Sequence, residues 1–218
     1  MGTPGTLGCF GWRKQEAVLI SAASVIAPAR ARSGDYLHLV ETAEFEPSAQ
    51  LRPRSRIGRL AEFDRETGFA VLLPEFSAAG NLVLPDRLPS DWSEAAGPIT
   101  EVLANPEPAL LVGKVGRTTG FTSGRVEAVG YRATIQLGPT ETATFDDMVL
   151  VVAGNEPFCG SGDAGALVFS KTRAAIGIIV AATLPEPRQR VLITPLPRIL
   201  SRFELAFYAS TGTAGYAA

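Results

Sequence analysis

A glycine-rich segment in the second half of the chain, residues 158–168 (FCGSGDAGALV), predicts a loop that leads into an apolar strand. Backbone N–H groups in such loops can converge on one point, where they hold a carbonyl or carboxylate oxygen. Two side chains in the segment carry nucleophilic atoms, the Cys159 thiol and the Ser161 hydroxyl. Each of them needs a neighbouring base to become a reactive nucleophile.

Bases suited to that task are scarce in this sequence. His38 is the single histidine, and a general base must come within about 3 Å of its nucleophile. It falls in residues 36–40 (YLHLV), which predict a separate strand, so we expect His38 to be structural. One histidine excludes a multi-histidine metal site, and no GxGxxG, Walker or CxxC pattern is present. We therefore predict no metal ion and no cofactor.

The segments that must position the loop are short, apolar and rich in β-branched residues, with Gly and Pro between them. Five such runs predict strands, namely residues 18–20, 36–40, 69–73, 148–152 and 176–180. Helical periodicity is clearest over residues 196–207, where Pro195 and Pro197 suit a first helical turn. Residues 86–108 are rich in Pro, Asp, Ser and Glu and predict a connection between two β-rich halves.

Composition narrows the class of protein. The chain has 218 residues, of which 46% are hydrophobic, so it can bury a substantial core. A formal net charge of -2 provides no basic field for nucleic acid. No apolar run reaches the ~18 residues of a membrane span, and the N-terminus lacks a secretory signal pattern. We expect a soluble, cytoplasmic protein in which Cys9 and Cys159 are free thiols.

The glycine-rich segment resembles the nucleophile loop of chymotrypsin-fold, or trypsin-like, serine proteases. In that family Gly-Asp-Ser-Gly is followed by a small residue and an apolar strand. Gly162, Asp163 and Gly165 match the motif, and Ala164 stands at the position of the nucleophile. Because a methyl group has neither a lone pair nor a removable proton, Ala164 cannot attack a carbonyl carbon.

Two other segments carry the same resemblance. Residues 5–27 are similar to the opening hairpin of the first barrel, and residues 114–124 (KVGRTTGFTSG) are similar to a segment of bacterial and plant trypsin-like proteases. The resemblance implies an all-β fold of two packed six-stranded antiparallel barrels with a short C-terminal helix. The implied divisions are a first barrel (1–85), a linker (86–108), a second barrel with the helix (109–208) and a flexible tail (209–218).

The resemblance also assigns the other two positions of the catalytic triad. Aligning residues 25–26 with the family's motif puts Ser24 at the position of the histidine base. Residues 68–71 (GFAV) put Gly68 at the position of the aspartate, although Asp64 lies only one short turn away. Neither Ser24 nor Gly68 can perform the work of an imidazole or a carboxylate.

A cleft can retain its shape after losing its chemistry. By resemblance, the N–H groups of Gly162 and Ala164 form an oxyanion hole, residues 179–182 pair with a bound backbone, and Phe158 floors a shallow apolar pocket. The predicted binding residues are Phe158, Gly162, Asp163, Ala164, Ile179, Val180, Ala181 and Ala182. Our leading hypothesis is a catalytically inactive protease homologue that binds a protein or an extended peptide, as an interaction or scaffold module.

Three alternatives stay open at this stage. The chain is an active or conditionally active serine hydrolase if the triad is misaligned, or if Ala164 replaces a natural serine. It is a self-assembling structural subunit if its surfaces bind copies of itself. In the third alternative, the resembling residues are only the core of a degenerate fold. Labelling by a fluorophosphonate separates the first from the others, and the native mass separates the second.

Overall fold

The structure is a computed structural model of the chain, and it describes residues 5–27, 30–39, 55–75, 99, 101–136, 142–183 and 188–207. These residues form two β-sheets. The strands of the first sheet are β1 (Cys9–Arg13), β2 (Glu16–Ala22), β3 (Tyr36–Leu39), β4 (Ser55–Asp64), β5 (Phe69–Pro74) and β13 (Ala206–Phe207), in the order β13-β1-β2-β5-β4-β3. A four-residue helix, α1 (Ala23–Ile26), directly follows β2.

The second sheet closes on itself. Its strands are β6 (Glu101–Val102), β7 (Leu111–Gly116), β8 (Gly120–Gln136), β9 (Thr142–Ala153), β10 (Leu167–Ser170), β11 (Ala174–Ala182) and β12 (Arg190–Pro195). They follow the order β10-β7-β8-β9-β12-β11-β6, and β10 also pairs with β11, which closes a six-stranded barrel. The helix α2 (Leu196–Arg202) follows β12 without a break.

The apolar runs in the sequence are continuous because their strands are buried on both faces. On β2, Leu19 packs into the core of the first sheet, in a cluster with α1, β4 and β5. Its neighbours Val18 and Ile20 join the cluster that holds the two sheets together, which includes Leu196 and Ile199 of α2. All five predicted strand segments fall within observed strands, up to the last described residue of β3.

The C-terminal helix is shorter than the predicted span 196–207. It ends at Arg202, and Glu204 adopts a positive φ of 53° that the helix cannot continue. Phe203 then packs edge-to-face on Phe69 of β5, with 5.0 Å between ring centroids. This contact directs the chain onto the first sheet, where β13 pairs with β1.

Two local pairings differ from the predicted divisions of the chain. Residues 206–207, assigned to the second barrel, form β13 at the edge of the first sheet. Residues 101–102, assigned to the linker, form β6 and pair in parallel with β11. Residues 86–98 of the predicted linker and the predicted tail 209–218 lie outside the described residues. None of the helices that the structure describes is long and apolar enough to cross a membrane.

Candidate functional site

A cavity of about 460 Å³ opens where α1 meets the glycine-rich loop. Its lining residues are Ser24, Val25, Pro157, Cys159, Gly160, Ser161, Gly162, Ala164, Ile179, Ala181, Ala182, Thr183 and Gln189. The structure therefore brings Ser24 and Ala164, which are 140 positions apart in the numbering, to the walls of one cavity. No charged side chain is among the described residues that line it.

The loop between Cys159 and Ala166, called the apex loop here, depends on glycine at two positions. Gly162 and Gly165 have φ angles of 105° and 91°, a region that residues with a Cβ rarely adopt. A Cβ added to Gly165 would lie 2.1 Å from the carbonyl oxygen of Thr6, and one added to Gly162 would lie 2.5 Å from Thr118 Oγ1. The glycines of the sequence motif thus fix the backbone path around Ala164.

A buried ion pair holds the apex loop from beneath. Lys114 Nζ lies 3.2 Å from Asp163 Oδ2, and both side chains are fully buried. The carboxylate also accepts hydrogen bonds from the Thr118 N–H at 2.7 Å, the Gly160 N–H at 2.9 Å and the Thr119 hydroxyl at 2.6 Å. These contacts give Lys114, Thr118 and Thr119 a structural role beneath the loop, which the sequence motif alone did not reveal.

The environment of this pair sets its ionisation. Burial lowers the pKa of Lys114, and the negative charge of Asp163 opposes that shift. Burial also raises the pKa of Asp163, but the hydrogen bonds from Thr119, Gly160 and Thr118, together with the Lys114 charge, outweigh it. The pKa of Asp163 therefore lies below its ordinary value, and its carboxylate is charged at neutral pH.

Three N–H groups of the apex loop, those of Ser161, Gly162 and Ala164, have no acceptor among the described residues. The other N–H groups of the loop are bonded. Cys159 donates to Gln189 Oε1, Gly160 to the Asp163 carboxylate, Asp163 to the Gly160 carbonyl, Gly165 to the Ile179 carbonyl and Ala166 to the Asp163 carbonyl. Gly162 and Ala164 both line the cavity, so their donors can receive an oxygen atom from a ligand.

The part of β11 that is free to pair with a ligand is shorter than the predicted residues 179–182. The Ile179 carbonyl accepts the Gly165 N–H at 2.8 Å, and its N–H donates to the Ala166 carbonyl at 3.1 Å, so the apex loop already occupies it. Further along the chain, the Thr183 N–H donates to the carbonyl of Arg190 on β12, so Thr183 and Arg190 lie opposite each other as a hydrogen-bonded pair. Because an antiparallel ladder alternates, Ala182 points its N–H and carbonyl away from β12, on the side of the cavity that it lines.

Comparison with known protein structures identifies the fold of the chain. No protein-family model and no curated protein matches the sequence. Solved structures do match over nearly the whole chain. Thermobifida fusca Protease A is 13% identical, with a TM-score of 0.65 over 96% of this chain and 97% of that one. The chain has a trypsin-like fold. The predicted all-β, double-barrel architecture is thereby confirmed.

Two further structures agree with this assignment. Nocardiopsis protease is 15% identical, with a TM-score of 0.65 over 95% of this chain and 94% of that one. Cellulomonas bogoriensis chymotrypsin is 16% identical, with a TM-score of 0.59 over 96% of this chain and 99% of that one. At these identities the likeness establishes the trypsin-like fold and no activity.

Position 68 in this trypsin-like fold has no room for a side chain. The Gly68 carbonyl accepts the N–H of Ala23 at 2.8 Å, which places it directly beside Ser24 of α1. Its φ is 79°, and a Cβ there would lie 2.4 Å from Val180 Cγ1 and 2.9 Å from Phe145 Cε1. Val180, one of the predicted binding residues, therefore contacts Gly68 and does not line the cavity.

The neighbouring acid Asp64 has a structural role. Its Oδ1 atom accepts the N–H groups of Glu66 at 3.0 Å and Thr67 at 3.3 Å, which caps the turn between β4 and β5. Its Oδ2 atom lies 3.1 Å from Arg202 Nε of α2. Asp64 does not line the cavity, and both of its carboxylate oxygens have partners outside it.

Phe158 lies deeper than the pocket floor that the sequence predicted. Its side chain is fully buried in the core of the second sheet and does not line the cavity. Gln189 lines the cavity instead, and its amide accepts the Cys159 N–H at 2.9 Å and donates to the Cys159 carbonyl at 2.7 Å. Gln189 thus acts as a local strand partner for the apex loop, and sequence motifs gave no sign of it.

The two nucleophilic side chains of the apex loop, Cys159 and Ser161, have no imidazole or carboxylate beside them among the described residues that line the cavity. Burial raises the pKa of the Cys159 thiol to about 11, so it stays protonated. Ser161 is exposed at the cavity, but His38 lies on β3 of the first sheet and does not line it. Cys9, on β1, is a second buried free thiol. In the part of the chain that the structure describes, no group of three His, Cys, Asp or Glu side chains is arranged to hold a metal ion.

Proposed function

We propose that this chain is a catalytically inactive trypsin-like serine protease homologue that binds an extended segment of another protein in its cleft. The observation that carries the proposal is the composition of the cavity around the apex loop. Gly162, Ala164 and Ala182 line it and have backbone N–H groups available for a ligand, whereas the residue at the apex is an alanine. The cleft therefore offers binding groups without a nucleophile at its centre.

The inactivity follows from the side chains that would do the chemistry. Attack on a carbonyl carbon needs a nucleophile that a base deprotonates. Among the described residues that line the cavity there is neither an imidazole nor a carboxylate. Ser24 offers only a hydroxyl, which is far too weak a base at neutral pH, and the space beside Gly68 is filled by Val180.

The binding role follows from the backbone. A ligand in extended conformation adds as a strand to an open edge, and its main-chain groups supply most of the hydrogen bonds. Ala182 presents such an edge, and the N–H groups of Gly162 and Ala164 can hold one ligand oxygen. A buried ion pair is not by itself a strong stabiliser, so the Lys114–Asp163 pair fits a role in fixing the direction of these donors.

The test is a pair of substitutions at Ala182. Ala182→Pro removes the edge N–H, whereas Ala182→Gly keeps it, and neither touches the bonds to β12. Random linear peptides displayed on phage are selected on the wild-type protein, and the enriched peptides are then measured by fluorescence polarisation. We expect Ala182→Pro to weaken them about tenfold or more, the loss of one to two backbone hydrogen bonds, and Ala182→Gly to leave them within about twofold.

Circular dichroism and thermal unfolding establish that both variants are folded before binding is compared. Equal binding by folded wild-type and Ala182→Pro proteins would show that the cleft edge is not the binding site. Failure of the selection to enrich any peptide over an unrelated β-protein would remove the basis for the proposal.

A further inference from the structure

We propose that the cleft recognises the free C-terminal carboxylate of a polypeptide, so that it binds chain ends in preference to internal segments. This inference rests on the proposed function and names the chemical class of its ligand. It depends on the donors at the apex loop, on the charge beside them and on the neutral lining of the remaining cavity.

The donors at the apex loop suit a carboxylate. An internal peptide offers a single neutral carbonyl oxygen to the N–H groups of Gly162 and Ala164, whereas a chain end offers two oxygens that share a negative charge. Hydrogen bonds from N–H groups to a carboxylate are roughly twice as strong as those to a neutral carbonyl. The side chain of Ala164 is a methyl group, so it presents no lone pair to repel the second oxygen.

A positive charge lies next to these donors. Arg117 Nη1 is 3.3 Å from the point where a Cβ of Gly162 would stand. Arg117 is exposed, and within the described ranges its guanidinium has no acidic partner. A guanidinium without a partner beside two free N–H groups favours an anion over a neutral group at that point.

The position of Arg117 is fixed through the backbone. The Arg117 N–H donates to Thr6 Oγ1 at 3.0 Å, and that hydroxyl donates to the Gly162 carbonyl at 2.9 Å. The Thr6 N–H in turn donates to the Ala164 carbonyl at 2.9 Å. Thr6 therefore ties the arginine and the apex loop together, and this link survives a change of the Arg117 side chain.

The rest of the cavity defines the ligand further. Its described lining is uncharged, with hydroxyl groups on Ser24 and Ser161, so the last side chain of the ligand is neutral. The backbone upstream of the last residue then pairs with Ala182.

The experiment compares chain ends with blocked ends. Two pools of N-acetylated hexapeptides carry mixed uncharged residues, with Ala, Ser or Val at the last position; one pool has free carboxylates and the other C-terminal amides. Both are passed over immobilised full-length protein, and retention is measured by mass spectrometry. We expect the acids to be retained about tenfold more tightly than the amides.

Two arginine variants separate the charge at the cleft from charge in general. Arg117→Gln is expected to lower retention of the acids to the level of the amides and to leave the amides unchanged. Arg59→Gln removes an exposed charge on β4, away from the cavity, and is expected to change neither.

The outcomes divide as follows. Equal retention of acids and amides that is lost in Ala182→Pro would overturn carboxylate recognition and leave the proposed binding function intact. An acid preference that persists undiminished in Arg117→Gln would also overturn the inference, because the charge assigned here would not be its source. Retention of neither pool above a column without protein would contradict both proposals.

Discussion

The two walls of the cleft have different kinds of order. On the second-sheet wall, a buried ion pair and positive-φ glycines fix the apex loop. Gly162 and Ala164, whose N–H groups have no acceptor among the described residues, both line the cavity. On the first-sheet wall, Ser24 is exposed and Gly68 is crowded by Val180. Under the proposed function, binding depends on backbone groups, whose positions the fold fixes. Catalysis depends on side chains, which single substitutions can remove.

The largest effect is expected from the second-sheet wall. Asp163→Asn leaves Lys114 buried without a counter-charge, which we expect to lower the free energy of unfolding by about 3–5 kcal/mol. Urea unfolding followed by circular dichroism measures it. The matched control is Asp146→Asn, which breaks the exposed pair with Arg132 and should cost about 0.5 kcal/mol. Equal costs for the two variants would mean that the ion pair does not hold the wall.

A smaller effect is expected at Gly68 on the first-sheet wall. Gly68→Asp adds a side chain against Val180 in a strained backbone conformation, so we expect a loss of about 2–4 kcal/mol in unfolding free energy. Gly130 has a similar positive φ of 64° with no atom within 4 Å of an added Cβ, so Gly130→Asp should show the conformational cost alone.

A second substitution sharpens that prediction. Val180→Gly in the Gly68→Asp background should recover the part of the steric loss that Val180 causes, but not the part caused by Phe145, again measured by urea unfolding. If Gly68→Asp and Gly130→Asp cost the same, the space beside position 68 is open and the first-sheet wall can accept a carboxylate after all.

Acid should affect the two walls differently. Because the pKa of Asp163 is lower in the folded than in the unfolded chain, its contribution to stability is present above the ordinary value of 3.8 and is lost as pH falls through the folded value. Hydrogen exchange at the Thr118 and Gly160 N–H groups, both bonded to Asp163, should accelerate in that window. The Ala23 N–H, bonded to the Gly68 carbonyl, should change less, and equal acceleration would contradict the assignment.

How much of these walls the sequence predicts depends on how far apart along the chain the contacting residues lie. The strands follow from apolar β-branched runs, and the shape of the apex loop follows from Gly162 and Gly165, because these signals are local. The partner of Asp163 is Lys114, 49 positions earlier, and nothing local announces that contact. A resemblance aligned both segments without showing that they touch.

Other features depended on packing alone. Residues 206–207 join the first sheet because Phe203 packs on Phe69, a contact between residues 134 positions apart. Val180 was predicted to face a ligand. The bulge in β11 between Ile179 and Ala181 interrupts the regular alternation of side chains between the two faces of that strand. A pattern of period two cannot reveal such a shift.

The central claim, that the cleft binds without catalysing, is tested most directly by activity-based labelling of the wild-type protein and of Ala164→Ser. Each is incubated with a fluorophosphonate probe and, separately, with casein; Ser161→Ala identifies any reaction at the exposed serine. We predict no labelling and no turnover in any of them, because a serine without a base stays protonated and loss of triad members costs several orders of magnitude in rate. Labelling of the wild-type protein, or labelling of Ala164→Ser at position 164, would contradict the account.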